Sequence, residues 1–159
     1  MPLTFSVKQL LLSAKGIHNL KGRAGAMVVP QILIVEDERS IADTLQKIFT
    51  VAGYGCRAFR SAEEFLATDD TAWAPSFALI DVVLPGMNGL ELATLLQAKF
   101  PGLELSLFSG QTETTAILQT AAAKGVHFPI LAKPVHPTEL LRLIHEALNA
   151  DSSALKHSA

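Results

Sequence analysis

Six side chains have types and positions that suit chemistry: Glu36, Asp37 and Glu38, then Asp81, Ser109 and Lys133. Each closes or follows a largely apolar run. Ile32 to Val35 precedes the acidic triplet, Phe77 to Ile80 precedes Asp81, Leu103 to Phe108 precedes Ser109, and Phe128 to Ala132 precedes Lys133. Such runs mark strands buried on both faces, and an open parallel sheet gathers its ligands at the carboxyl ends of its strands. Carboxylates that share one crevice repel each other, and the strain is relieved by a raised pKa or a bound cation. Oxygen-only ligands suit Mg2+, which is often held by one or two carboxylates together with a phosphate oxygen. Lys133 offers a point positive charge to a phosphate oxygen, and Ser109 offers a hydroxyl donor. A carboxylate nucleophile between Mg2+ and a lysine is equipped to form an aspartyl phosphate. That reaction asks chiefly for positioning and charge neutralisation.

The elements that would position these groups alternate from Gln31 onward. Ile41, Leu45, Ile48, Phe49 and Ala52 recur at helical spacing, and Gly53 stops the helix. Cys56 to Phe59 reads as a short strand. Ser61 is placed to cap a helix running to Ala67, with Glu64 as its capping-box partner. Asn88 caps a helix running to Phe100, which Pro101-Gly102 ends. Thr112 or Glu113 opens a helix that reaches Lys124 before Gly125. Pro137 opens a last helix that should end near Asn149. Strands alternating with helices imply an α/β fold: a five-stranded parallel sheet, doubly wound, with helices on both faces and right-handed crossovers.

The chain has 159 residues, the size of one domain, and 49% of them are apolar. A net charge of −2 argues against broad nucleic-acid binding. The charge is uneven: residues 1–26 carry Lys8, Lys15, Lys21 and Arg23 without an acid, which leaves −6 for the remainder. Residues 1–29 are expected to form a flexible N-terminal extension. Residues 30–150 form the folded domain, and 151–159 a fraying tail. Cys56, the one cysteine, fits a reducing compartment and a cytoplasmic location. No apolar run is long enough to span a bilayer, and no signal peptide is read.

Four segments together resemble the signatures of response-regulator receiver domains of the CheY-like superfamily: ILIVEDE at 32–38, DVVLPGMNGLEL at 81–92, SG at 109–110 and KP at 133–134. The resemblance covers residues 30–150. Each piece is weak alone, but the ordered set at family-like spacing is specific. It implies the flavodoxin-like strand order 2-1-3-4-5. It implies that Asp81 is the phosphoacceptor, and that Glu36, Asp37, Asp81 and the backbone carbonyl of Val83 hold Mg2+. Ser109 and Lys133 would contact the phosphoryl oxygens, and the Lys133–Pro134 bond would be cis. Glu38 reads as a solvated first-turn acid. The implied function is a stand-alone, non-enzymatic receiver in a two-component phosphorelay. A histidine kinase or histidine phosphotransfer protein would phosphorylate it. Output to an unnamed protein would run through the face built from the fourth helix, fifth strand and fifth helix. Neither nucleic acid nor membrane is an expected partner, and a homodimer is compatible with the reading.

The chain departs from the family pattern at the switch. Many receivers carry Tyr or Phe three residues before the lysine, where this chain has Ile130. Phe128 lies two residues earlier, on the same side of an extended strand, and is the candidate stand-in. Pro129 removes a ladder donor, which suits an edge strand. Two other readings compete. A small Mg2+-dependent phosphatase of the haloacid dehalogenase type would need a second acid two residues after Asp81, where Val83 stands. A degenerate receiver acting as a scaffold would not need the intact acids. His127, His136 and His145 form no motif, and Cys56 is expected to have no redox role.

Overall fold

Burial on both faces fixes the centre of the sheet. In the computed structural model, which describes residues 28–154 apart from 71 and 111–113, Ile32 to Val35 and Phe77 to Asp81 are buried without a break. These runs are the strands β1 (Gln31–Val35) and β3 (Phe77–Asp81). They pair in parallel, with β2 (Gly55–Phe59) beside β1, β4 (Glu104–Ser109) beside β3 and β5 (Ile130–Ala132) on the far edge. The order is β2-β1-β3-β4-β5, the doubly wound flavodoxin-like arrangement that the family resemblance implies.

Alternate residues of the central strands feed two cores. Leu33, Val35, Ala78 and Ile80 pack on one face with α2 (Ala62–Leu66) and α3 (Gly89–Lys99). Ile32, Ile34, Phe77 and Leu79 pack on the other face with α1 (Arg39–Val51) and α5 (Pro137–Ala154). Side chains of a strand alternate between faces, so one apolar run serves both layers. Ile117 and Leu118 of α4 (Thr114–Ala123) join the first face.

Local chemistry sets the element ends. Asn88 accepts from the Glu91 N–H and Glu91 returns a bond from the Asn88 N–H, a complete capping box at α3. At α2, Ser61 Oγ accepts from the Glu64 N–H at 3.0 Å. The Glu64 carboxylate instead takes the N–H of Arg60, one residue ahead of the cap, at 2.6 Å. Gly53 adopts φ +92° directly after α1.

Two boundaries differ from the sequence reading, and a third lies outside the described residues. The edge strand β5 starts at Ile130, not Phe128, because Pro129 has no N–H to enter the ladder; its carbonyl still accepts from Leu107 N at 2.8 Å. Helix α5 passes Asn149 and continues to Ala154. Asn149 turns its side-chain amide back onto the His145 carbonyl at 2.7 Å, and neither glycine nor proline follows to stop the helix. Helix α4 is described from Thr114, so its proposed start at 112 or 113 lies outside the described residues. The same holds for residues 1–27 of the expected extension and 155–159 of the tail. Among the described residues, no helix is long and apolar enough to cross a membrane.

Candidate functional site

Strand register brings the chemical residues to one rim. Val35 pairs with Ile80, so Glu36 follows β1 beside Asp81. Asp81 pairs with Phe108 and Ser109 with Ala132, so Lys133 leaves β5 at the same end. Main-chain bonds carry the ladders one residue further: Glu36 N donates to Phe59 O at 3.0 Å and Lys133 N to Ser109 O at 2.7 Å.

Four of the expected residues form one cluster. Lys133 Nζ donates to Asp81 Oδ2 at 2.6 Å and to Glu36 Oε2 at 2.7 Å. The second oxygens are also engaged. Asp81 Oδ1 accepts from Val83 N at 2.9 Å, and Glu36 Oε1 from Glu38 N at 3.1 Å. Asp37 is exposed, and one carboxylate oxygen from each of Glu36, Asp37 and Asp81 lies within 4.8 Å of the others. Glu36 is 1% exposed and Asp81 7%, so the cluster runs from the sheet interior to solvent. The Lys133 ammonium also stands 4.8 Å over the Phe108 ring, a cation–π contact.

Burial pushes the Glu36 carboxyl up to about 7, and the nearby Asp81 charge adds to the rise. The Lys133 ammonium and the Glu38 N–H oppose it. Burial pulls the Lys133 ammonium down, but its bonds to Asp81 and Glu36 outweigh that and hold it above the ordinary lysine range. Three carboxylates facing one ammonium leave the cleft with an excess of negative charge. The donor set is oxygen-only, negatively charged and open to solvent at Asp37, which fits a hard divalent cation.

The remaining expected residues are placed as follows. Ser109 ends β4 and contributes its carbonyl to Lys133 N. Val83 enters the site through its N–H on Asp81. Glu38 is exposed and is the N-cap of α1, its carboxylate accepting from Ser40 Oγ at 2.9 Å. The Lys133–Pro134 bond is cis. The pairing of Ile130 with Phe128 needs correction. Ile130 is 49% exposed on the edge strand, whereas Phe128 precedes the strand and packs against the core that holds Leu105 and Leu107. The two-residue alternation does not extend back through Pro129.

Sequence reasoning missed the supports of this cluster. A Cβ on Gly89 would overlap the carbonyl oxygen of Asp81, and Gly89 N donates to Val82 O at 3.0 Å, so α3 begins on the backbone of the Asp81 turn. A Cβ on Gly110 would come within 3.1 Å of the Lys133 stem. Glu63, at the start of α2, accepts from Met87 N in the loop between β3 and α3 at 2.7 Å. A glycine at the first position of a helix was the one visible hint; the other contacts leave no periodic signal.

Residues 32–145 match the family described as "Response regulator receiver domain". The transcriptional regulatory protein PgtA of the phosphoglycerate transport system of Salmonella typhimurium is 32% identical over 127 residues, 78% of this chain and 29% of PgtA. The transcriptional regulatory protein FixJ of Bradyrhizobium diazoefficiens is 26% identical over 130 residues, 80% of this chain and 61% of FixJ. The chain thus spans less than two thirds of either relative. A CheY-like receiver domain protein from Methanospirillum hungatei superposes with a TM-score of 0.68 at 29% identity, covering 80% of this chain and 99% of that one.

Proposed function

Because this chain belongs to the response-regulator receiver domain family, we propose that it is phosphorylated on Asp81 by a histidine kinase or a histidine phosphotransfer protein. The observation that carries this reading is the convergence of Glu36, Asp37 and Asp81 on one cleft, with Lys133 bonded to two of them. Glu36, Asp37 and Asp81, with the Val83 carbonyl, would hold Mg2+, which would neutralise phosphoryl charge when bound. Asp81 supplies the attacking oxygen: its bond to phosphorus forms as the phosphorus–nitrogen bond of the donor histidine breaks. The bond from Val83 N to Oδ1 orients the carboxylate before transfer. Lys133, already paired with Oδ2, is within reach of a phosphoryl oxygen attached there. Ser109, at the end of the neighbouring strand, supplies a hydroxyl to the same group.

The signal then passes to the surface formed by α4, β5 and α5, which contacts a protein partner. The half-exposed Ile130 takes the place of an inward-swinging aromatic ring, and the partly buried Phe128 packs against the core, so the response runs through Ser109 and α4. The shift can be no larger than the difference in interaction free energy between the two phosphorylation states. A reducing, cytosolic setting belongs to this reading.

Incubation with acetyl phosphate and Mg2+, followed by intact mass, tests it. One base-labile phosphoryl adduct is expected, and Asp81→Asn or removal of the divalent ion abolishes it. Labelling that persists in either case, or steady turnover of free phosphate esters, defeats the proposal.

A further inference from the structure

The loop that leaves Asp81, residues 82–88, is held at its start by Val82 N on Phe108 O at 3.1 Å and beyond that largely by bonds of its own. Val83 N reaches Asp81 Oδ1, Gly89 N reaches Val82 O, and Asn88 is locked into its own helix by the Glu91 box. Leu84 and Met87 anchor it through apolar packing. Among the described residues, one hydrogen bond joins the stretch 84–87 to another element: Met87 N to Glu63 Oε1, at 2.7 Å and across 24 positions of sequence. Pro85 has no N–H to offer, and Gly86 turns at φ +74° directly beside the Glu63 carboxylate. A Cβ at Gly86 would press on that carboxylate, so the turn and the glutamate are fitted to each other. The two glutamates that open α2 have separate duties, because Glu64 serves the Arg60 N–H.

We propose that Glu63 is a positioning residue for the cation cleft: its carboxylate pins the 82–88 loop in the register that keeps Val83 against Asp81, and thereby raises the affinity of the cleft for Mg2+. The inference rests on the reading of Glu36, Asp37, Asp81 and Val83 as the Mg2+ site. The Met87 N–H also holds the Glu63 carboxyl below its ordinary range, so the bond favours the ionised acceptor. A bond from an amide to a charged acceptor is stronger than one between neutral groups. Its loss frees the turn at Gly86, three residues from the Gly89 contact on one side and three from Val83 on the other.

The test titrates MgCl2 into the full chain by calorimetry and follows Met87 amide exchange in the Mg2+-free protein. Glu63→Ala is expected to weaken Mg2+ about fivefold and to speed Met87 exchange by a similar factor, the weight of one net hydrogen bond. Glu63→Gln keeps an acceptor oxygen and should stay within about twofold of wild type on both readouts. Raising the salt should leave the ratio between the two variants in place, since a bond rather than long-range attraction is at work. Equal Mg2+ affinity in wild type and Glu63→Ala overturns the inference alone, as does Glu63→Gln binding as weakly as Glu63→Ala. Failure of the wild-type chain to bind Mg2+ removes both the site reading and the inference built on it.

Discussion

Lys133 Nζ stands 2.6 Å from Asp81 Oδ2, although the residues lie 52 positions apart. The same ammonium is 2.7 Å from Glu36 Oε2. One flexible cation therefore balances two carboxylates at the buried end of the cleft, while the exposed Asp37 remains toward solvent. The lysine thus supplies the counter-charge that these two buried carboxylates share.

Replacing Lys133 by Met should therefore cost more than a surface lysine would. The substitution leaves Glu36 and Asp81 facing each other in a buried site without a counter-charge, a loss of about 2–4 kcal/mol at pH 8 in the Mg2+-free chain. At pH 5 Glu36 takes up a proton and the repulsion largely disappears, so the loss should shrink to about 1 kcal/mol. Urea unfolding at the two pH values reads the difference. An equal loss at both would mean that the lysine acts through the packing of its stem rather than its charge.

Glu36 itself gives the wild-type chain a pH slope. Its carboxyl sits at about 7 in the folded protein, raised by burial, against 4.5 when unfolded. Between these values the folded state binds the extra proton, so stability falls as pH rises from 4.5 to 7 and levels off above that. Taken alone the group costs about 3 kcal/mol above pH 7. Lys133 has the opposite placement. Its raised pKa contributes stability in full below 10.5 and loses it only as pH climbs through the folded value, outside this window. Glu63 and Asp70, both lowered, lose their contribution only as pH falls through their folded values, below the window. Without Mg2+, unfolding free energy should thus decline from pH 5 to pH 8, and Glu36→Gln should flatten the decline. A slope that Glu36→Gln leaves intact would assign it to another group.

The parts of this site that could be read from the sequence are those the backbone pattern dictates. Ile32 to Val35 and Phe77 to Ile80 are apolar at every position, which only a strand covered on both sides allows, so the charges that end them had to sit at a rim. Glu36, Asp37 and Asp81 are legible for that reason. The alternation that tied Phe128 to Ile130 broke because Pro129 delays the strand, and a period of two has meaning only where the strand exists. The last helix was expected to end near Asn149, but the Asn149 amide bonds to the His145 carbonyl inside α5, which runs on to Ala154. The Glu63–Met87 bond joins a side chain to a backbone N–H across 24 positions, and such pairs leave no mark in hydropathy or spacing.

Two glycines give a matched pair of opposite sign. Gly89 opens α3, where alanine ordinarily helps a helix. Its Cβ would nevertheless overlap the Asp81 carbonyl oxygen, and the helix could relieve the clash only by backing away from the turn that carries the acceptor. Gly89→Ala should therefore destabilise the chain by about 1–3 kcal/mol, the range for overpacking a tight contact, and should slow acetyl phosphate labelling of Asp81. Gly102, in the turn after α3, has no atom within 4 Å of the place its Cβ would occupy. Gly102→Ala should be neutral or stabilising by about 0.4–1 kcal/mol through the unfolded state, with labelling unchanged. Urea unfolding and labelling rates measured on both variants decide the matter. A Gly89→Ala chain as stable and as quickly labelled as Gly102→Ala would mean that α3 is not seated on the Asp81 carbonyl.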